Sequence, residues 1–201
     1  LLEELKIAKE DGVCNPIIVS VSSSEVYGNP TEDEIPITET NPIRAANPYS
    51  ISKVGHDLMS QYYHKAYDMK VIITRMFSHE GKRRGKRFAL AWFAYQIVMA
   101  EKKKDFPPYA PSFPTHPIRH GNLDSVRTYN HIDDAVHAYW LAVDKCEYGE
   151  VYNIGGGRFS NCSILEALDL VESIAGINIK REIVKKPRVG DHIWYISDNS
   201  K

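Results

Sequence analysis

Residues 16–28 read PIIVSVSSSEVYG, in which an apolar, β-branched run leads into three serines, a glutamate and a tyrosine. The run at 16–23 lacks the polar alternation of a half-exposed strand, which is typical of a parallel strand covered on both faces. In open α/β sheets, ligands bind at the carboxyl ends of the strands. The stretch therefore predicts a buried parallel strand whose polar side chains meet a ligand at its carboxyl end.

Strand and helix patterns alternate along the rest of the chain. A buried strand is predicted at 70–77, a strand that ends in a glycine turn at 150–157, and helices at 1–10, 49–67 and 88–103. This alternation indicates an α/β fold with a parallel sheet. Further predicted elements are a helix from about Ile132, a helix at 163–176 that opens with Ser163 and Glu166 in capping-box spacing and ends at Gly176, and a strand at 179–184.

The composition argues against several classes of function. A net charge of -1 gives no general attraction to nucleic acid or to an anionic membrane. The apolar runs are too short to cross a bilayer and no secretory signal opens the sequence, so a cytoplasmic location is expected. The cysteines show no CxxC spacing and the histidines no HExxH spacing, so no metal site is predicted.

Two side chains on the second predicted helix form a candidate proton-transfer pair. Tyr49 and Lys53 are four residues apart, so they share a helix face. An ammonium group beside a phenol favours the phenolate, which can take a proton from a substrate alcohol. This spacing is common by chance, but here the hydroxyl-rich strand end precedes it. For the serines and Glu25 the alternative is a polar turn that satisfies its own backbone, and for Ser22 that alternative is favoured.

The motifs, taken together, resemble a known family. The chain contains, in this order, SSSEVYG, NPYSISK, TRMFSHEGKRRG, GNLDSVRTYNHIDDAVHAYW, GEVYNIGGG and PRVGD. This series resembles the extended short-chain dehydrogenases/reductases of the nucleotide-sugar epimerase/dehydratase group over the whole chain. HEGKRRG and GNLDSVR resemble the GDP-mannose 4,6-dehydratases most closely, and the sister GDP-4-keto-6-deoxymannose reductases almost as closely.

The resemblance implies a division of the chain into two regions. It predicts the C-terminal portion of a Rossmann-like doubly wound parallel sheet plus a smaller α/β substrate-binding region. Residues 1–80 would form a partial NAD(P)-binding region with the catalytic groups. Residues 81–201 would mainly bind the nucleotide sugar, with 124–157 returning in part to the Rossmann sheet.

The resemblance also implies catalytic roles. Tyr49 would be the acid/base on the sugar 4-hydroxyl, and Lys53 would support it and hold the nicotinamide ribose. Ser23 would hydrogen-bond the sugar 4-oxygen. Glu25 matches the dehydratase base, which removes the C5 proton once C4 is a ketone. Ser24 occupies a position that is an acidic proton donor in some dehydratases, and is therefore a weaker candidate for a substrate contact.

Further residues match substrate and cofactor contacts of the family. Arg127 and Arg188 match arginines that contact the nucleotide diphosphate, and Ser78 stands where relatives usually have an asparagine that helps hold it. The basic loop at 81–87 is either a solvated face or, as the resemblance implies, a loop that reaches a neighbouring subunit's cofactor; a nucleic-acid patch is disfavoured because no aromatic residues interleave it. The predicted substrate contacts are Ser24, Ser78, Arg83, Arg127 and Arg188, and the predicted cofactor contacts are Ser22, Tyr49, Lys53, Arg84 and, through its backbone, His79.

The sequence does not contain the Gly-rich first βα turn with which the family cradles the cofactor pyrophosphate. We therefore expect a C-terminal portion of a longer enzyme, which binds its nicotinamide cofactor, NADP or NAD, poorly by itself. The resemblance also implies a homodimer or homotetramer that uses the helices at 1–11 and 49–67. The alternative is that these helices pack only within the monomer.

Three functions fit these observations. The preferred one is an NAD(P)-dependent sugar-nucleotide 4,6-dehydratase acting on GDP-mannose, through oxidation at C4, deprotonation at C5 with loss of water, and return of the hydride to C6. The second is an NAD(P)-dependent 4-ketoreductase or epimerase of a nucleotide sugar, since decarboxylases of the group and some ketoreductases also resemble SSEVYG. The third is a non-catalytic, truncated relative.

Overall fold

A computed structural model of the chain describes residues 1–101, 118–120, 122–176, 181–183 and 192–201. The helices are α1 (Leu2–Glu10), α2 (Pro48–Tyr67), α3 (Ala89–Glu101), α4 (Ile132–Lys145) and α5 (Ile164–Ala175). The strands are β1 (Ile18–Val21), β2 (Val71–Met76), β3 (His79–Glu80), β4 (Ile118–His120), β5 (Val126–Thr128), β6 (Asn130–His131), β7 (Val151–Ile154), β8 (Asn161–Ser163), β9 (Arg181–Ile183) and β10 (Trp194–Tyr195). Short 3-10 helices lie at Ser24–Tyr27, Glu32–Glu34 and Gly157–Phe159.

A three-stranded parallel sheet in the order β1-β2-β7 forms the centre of the fold. Every residue of the middle strand, β2, is buried, because it has a strand on each side and helices nearby. Val19 pairs with Ile72 and Ile73 pairs with Val151. The apolar run at 16–28 therefore becomes a strand of a parallel sheet, and the predicted α/β fold is confirmed.

Helix α2 connects β1 to β2, as a parallel pair of strands requires. It begins at Asn47, whose side chain accepts the backbone N–H of Ser50 while the Ser50 hydroxyl accepts the N–H of Asn47. Pro48 follows in the first turn, where its missing N–H costs nothing. The helix ends at Asp68, which takes the left-handed conformation. The start therefore lies one residue before the predicted one.

Two smaller groups of elements flank the central sheet. Strand β5 pairs in parallel with β10 and antiparallel with β8, and β3 pairs with β6. Helices α3 and α5 pack together through Phe93, Ile164 and Leu168. Helix α5 has the predicted capping box of Ser163 and Glu166 and ends at Gly176 with φ of 68°.

The carboxyl end of β1 is covered by an aromatic cluster. Val26 and Tyr27 from the first 3-10 helix pack with Ile37, Phe77 and Tyr195. The segment after β10 runs beside the loop at 28–46, in which Ile37 forms a parallel bridge with Ser197. The C-terminal residues are thereby held against the end of the central sheet. Across the parts of the chain that the structure describes, we find no helix with both the length and the apolar character that a membrane crossing needs.

Candidate active site

The chain turns sharply where β1 ends. Ser23 caps the 3-10 helix Ser24–Tyr27, its hydroxyl oxygen accepting the backbone N–H of Glu25 at 3.3 Å. Gly28 ends this helix with φ of 62°, and a Cβ there would lie 1.7 Å from the carbonyl oxygen of Arg44. Only glycine fits this position without strain. The sequence SSSEVYG thus folds into a tight turn that presents Glu25 at the carboxyl end of the strand.

The first turns of α2 meet this strand end. The Lys53 ammonium donates a hydrogen bond to the carbonyl oxygen of Val21, the last residue of β1, at 2.8 Å. The Lys53 nitrogen lies 6.0 Å from the centre of the Tyr49 ring, and the Tyr49 side chain is 53% exposed. Asn47, which caps the helix, donates its Nδ2–H to Glu25 Oε2 at 3.2 Å. The tyrosine–lysine helix and the serine–glutamate turn therefore lie together, as predicted from the arrangement of α/β sheets.

The Glu25 carboxylate has a second partner from the far end of the chain. His192 Nε2 lies 3.1 Å from Glu25 Oε1. The hydrogen bond from His192 keeps the pKa of Glu25 below its usual value although partial burial would raise it. The charge that the His192 ring carries when protonated, the hydrogen bond from Asn47 and the charge of Arg127 lower this pKa further. A carboxylate that is ionised at neutral pH and still 29% exposed can act as a base.

Sequence reasoning missed both partners of Glu25. Asn47 could have been found, because an asparagine directly before a proline and a helical pattern is a typical helix cap. His192 carries no such signal, since it lies 167 residues from Glu25 along the chain.

The other two predicted serines of the strand end face inwards. The Ser22 hydroxyl donates to Asp57 Oδ2 at 2.8 Å. It therefore bonds a side chain of α2, whereas the turn interpretation favoured for Ser22 predicted a bond to its own backbone. Ser24 is buried, and its carbonyl oxygen accepts the hydroxyl of Tyr195. Both residues support the turn from within, and their contacts with a cofactor or a substrate stay predictions.

Three of the remaining predicted contacts lie on or next to described strands. Arg127 lies on β5, where its Nη2 donates to the carbonyl oxygen of His192 at 3.4 Å. Ser78 lies between β2 and β3, His79 begins β3, and His79 Nδ1 is 3.3 Å from the carbonyl oxygen of Phe77. Arg188 lies outside the described residues.

The basic loop presents its two arginines differently. Arg83 is exposed and has φ of 70°, whereas the Arg84 guanidinium lies 3.4 Å from the centre of the Phe88 ring. Arg84 Nε is 3.7 Å from Glu80 Oε2, a contact that holds this side chain against the body of the protein. Of the two, Arg83 is the freer to reach outwards.

A polar groove lies at the amino-terminal ends of the strands, beside the residues that precede β2 and β7. It is lined by Gln61, His64, Lys65, Asp68, Tyr148, Gly149 and Glu150. Ligands of parallel sheets bind at the carboxyl ends of the strands, so this groove is not the candidate site. Within the described ranges, no three His, Cys, Asp or Glu side chains come together as metal ligands would.

Comparison with known proteins identifies related sequences. A profile of the protein family described as GDP-mannose 4,6 dehydratase matches residues 1–193. The chain is 28% identical over 184 residues to the low-salt glycan biosynthesis protein Agl12 of Haloferax volcanii, a match that covers 91% of this chain and 53% of that protein. It is 27% identical over 187 residues to GDP-6-deoxy-D-mannose reductase of Pseudomonas aeruginosa, covering 93% and 56%. The chain spans about half the length of the curated relatives it matches.

Solved structures share the fold. RMD from Pseudomonas aeruginosa, determined as a complex with NADPH, superimposes with a TM-score of 0.83 at 24% identity, over 99% of this chain and 63% of that chain. The dTDP-glucose 4,6-dehydratase of Bacillus anthracis, determined with NAD, gives a TM-score of 0.76 at 24% identity, over 98% and 56%. These similarities confirm the predicted Rossmann-like α/β fold.

Proposed function

This chain belongs to the GDP-mannose 4,6 dehydratase family, and we propose that it carries the catalytic groups of an NAD(P)-dependent nucleotide-sugar 4,6-dehydratase. The observation that carries the proposal is the position of Glu25, an ionised carboxylate that is bonded to the cap of the helix bearing Tyr49 and Lys53. A dehydratase needs a base for C5 beside the acid/base group that serves C4, and this arrangement supplies both.

Each side chain has a defined task in this reaction. Tyr49 takes the proton of the sugar 4-hydroxyl as C4 becomes a ketone, and Ser23, at the neighbouring strand end, hydrogen-bonds the 4-oxygen. The ketone makes the C5 proton acidic, and Glu25 removes it while the C6 hydroxyl, which takes up a proton from solvent, leaves as water. The proton that Glu25 holds is then available to return to C5. Proton transfers of this kind contribute about 10²- to 10⁴-fold each to the rate.

The residues present fit the nicotinamide end of a cofactor. Lys53 has three N–H donors and uses one of them on Val21, so two remain for a ribose hydroxyl next to the half-exposed Tyr49. When bound, the nicotinamide would accept the hydride from C4 and supply it to C6. Relatives solved with NADPH and with NAD support the choice of cofactor class.

We propose GDP-mannose as the substrate. The matching family profile and the relative named GDP-6-deoxy-D-mannose reductase support a GDP-sugar, whereas other relatives are named for dTDP-glucose or UDP-glucose. Arg127, whose charge acts on Glu25, is the described arginine best placed to bind the diphosphate. We also propose that the protein is located in the cytoplasm and assembles as a homodimer or homotetramer.

The test is incubation of the protein at its natural length with GDP-mannose and NADP or NAD. A 4-keto-6-deoxy product is expected, with no net change in the cofactor, and Glu25→Gln should reduce its formation by about 10²-fold or more. Glu32→Gln is the matched control, because Glu32 is an exposed glutamate in the nearby 3-10 helix Glu32–Glu34. No product, together with equal rates for wild type and Glu25→Gln on other nucleotide sugars, would refute the proposal.

A second candidate function is 4-ketoreduction of a nucleotide sugar. It is favoured by Ser24, which is a buried serine where some dehydratases have an acidic proton donor for the departing C6 hydroxyl. Reduction of a 4-keto sugar needs Tyr49 as a proton donor but needs no group for C6. This alternative predicts net consumption of NAD(P)H with a 4-keto-6-deoxy sugar, which a dehydratase does not show.

A further inference from the structure

His192 is an unusual partner for a reactive carboxylate because it is almost completely enclosed. Its side chain is 5% exposed, and its Nε2 points to Glu25 Oε1 at 3.1 Å. Within the part of the chain that the structure describes, its buried Nδ1 has no hydrogen-bond partner. Buried polar atoms are nearly always paired, so this one requires an explanation.

The contact with Glu25 decides that Nε2 carries a proton. In the Nδ1–H tautomer a buried N–H would have no acceptor among the described groups, and a bare Nε2 would face an ionised oxygen that can only accept. With the proton on Nε2, the ring donates it to Glu25. The hydrogen bond therefore runs from Nε2–H of His192 to the ionised carboxylate of Glu25.

The ring is held from several directions. It stacks on Tyr195 with 4.4 Å between the ring centres, and the Tyr195 hydroxyl donates to the carbonyl oxygen of Ser24. The backbone carbonyl of His192 accepts the hydroxyl of Ser125 at 2.8 Å and Nη2 of Arg127 at 3.4 Å. The position of Nε2 is thus set by β5 and β10, two strands outside the central sheet.

We propose that His192 is a positioning residue that holds Glu25 ionised and fixes its orientation for the reaction. This inference rests on the proposed function, because it assigns to Glu25 the role of base. With Oε1 bonded to His192 and Oε2 to Asn47, the carboxylate cannot rotate, and each oxygen keeps one lone pair for a substrate proton. Orientation of this kind is what makes a base at a fixed distance effective.

The groups that face Glu25 make the pH consequence definite. They are His192 and Tyr195 from the C-terminal segment, Arg127 from β5 and the neutral Asn47 from α2. The hydrogen bond from His192 is the largest influence that lowers the pKa of Glu25. A pKa held low keeps the base active as the pH falls, so loss of the His192 donor should move the acidic limb of the pH–rate profile to higher pH.

Nuclear magnetic resonance tests the arrangement without any turnover. In long-range ¹H–¹⁵N spectra of the uniformly labelled protein, the ring of His192, assigned by its absence in His192→Gln, should carry a proton on Nε2 at pH 7. The Glu25 ¹³Cδ signal should titrate at higher pH in His192→Leu than in wild type. In His192→Gln the titration midpoint should return towards the wild-type value, because the Gln amide can donate from nearly the same place as Nε2. An Nδ1–H tautomer, or equal Glu25 midpoints in wild type and His192→Leu, would overturn the proposal. The tautomer is read from the wild-type protein, so this arm does not depend on the folding of a variant.

Measurements of turnover provide an independent test of the positioning role. In the proposed dehydration, His192→Leu should lower kcat about tenfold and move the acidic limb of kcat/KM to higher pH, and His192→Gln should recover both. Unchanged kcat and an unchanged limb in His192→Leu would contradict the positioning role. If wild type gives no dehydration while the resonances behave as expected, the proposed function fails but the hold of His192 on Glu25 stands.

Discussion

Asp57 of α2 and Arg75 of β2 form a two-pronged ion pair inside the protein, directly behind the candidate active site. Arg75 Nε donates to Asp57 Oδ2 at 2.9 Å and Nη2 donates to Oδ1 at 3.0 Å, with side-chain exposures of 4% and 0%. The Ser22 hydroxyl also donates to Asp57, and Arg75 Nη1 donates to the hydroxyl of Tyr27 at 3.0 Å. Helix α2, the middle strand and the turn that carries Glu25 are therefore joined by one buried polar network.

Removing either member of this pair should destabilise the protein strongly. Asp57→Ala or Arg75→Ala leaves an unpaired buried charge, and we expect a loss of about 3–5 kcal/mol in the free energy of unfolding. Urea denaturation measures this loss, and the double variant should lose less than the sum of the two single losses. Arg44→Ala is the matched control, because Arg44 forms a similar two-pronged pair with Glu34 at the surface, where the loss should be far smaller. Equal losses at both pairs would contradict this account.

The contribution of Asp57 should depend on pH in a definite direction. Burial alone would raise the pKa of Asp57, but the hydrogen bonds and the charge of Arg75 outweigh burial and hold the pKa below its usual value. A lowered pKa stabilises the folded state above the unfolded pKa of about 4, and this stabilisation is lost as the pH falls further. The difference in unfolding free energy between wild type and Asp57→Asn should therefore be constant near neutral pH and shrink below about pH 4. A difference that stays constant into acid would contradict the prediction.

Tyr49→Phe should abolish most turnover without affecting stability. The change removes only the hydroxyl of a side chain that is 53% exposed, so the midpoint of thermal unfolding should not move. Loss of the acid/base group should reduce kcat by about 10²-fold or more. Tyr62→Phe is the control, since Tyr62 lies on the same helix with the same exposure and should keep full activity. Equal activity of Tyr49→Phe and wild type would remove Tyr49 from the site.

Lys53→Met should act mainly on cofactor binding. The variant keeps the length of the side chain but loses the ammonium that bonds Val21 and has donors left for a ribose. We expect weaker binding of NADP or NAD at the natural length of the protein, measured by isothermal titration, with a smaller change in urea stability than for Asp57→Ala. Lys65→Met serves as the control, because Lys65 lies in the last turn of the same helix, away from the strand end. Equal affinities for wild type and Lys53→Met would contradict the assigned role.

The exposed face of α2 should mediate self-association. One side of the helix carries Ile51, Leu58, Met59 and Tyr62, each at least half exposed. Apart from the adjacent residues and backbone of this helix, no described heavy atom lies within 4 Å of a Cβ built on the neighbouring Gly55. Leu58→Glu should shift the protein towards the monomer in sedimentation velocity. Leu170→Glu on α5 also charges an exposed apolar position and should leave the sedimentation unchanged. A wild-type protein that sediments as a monomer would refute the predicted homodimer or homotetramer.

Local features of the structure follow closely from the sequence. The parallel strand at β1, the helix that carries Tyr49 and Lys53, and the capping box of Ser163 and Glu166 all depend on neighbours within a few residues. Periodicity and caps act over that range, so they predict where an element lies and which side chains share its face. The glycine that closes the turn after Glu25 belongs to the same local class.

The partners across the fold could not be predicted in this way. The sequence by itself determined an α/β chain with a tyrosine–lysine pair on one helix and a serine–glutamate turn after one strand. Only the tertiary structure decided that His192 bonds Glu25 from 167 residues away and that Ser22 bonds Asp57 instead of its own backbone. The physical reason is that a sequence pattern specifies which face of an element is buried, whereas the group that meets that face is selected by the packing of distant segments against one another.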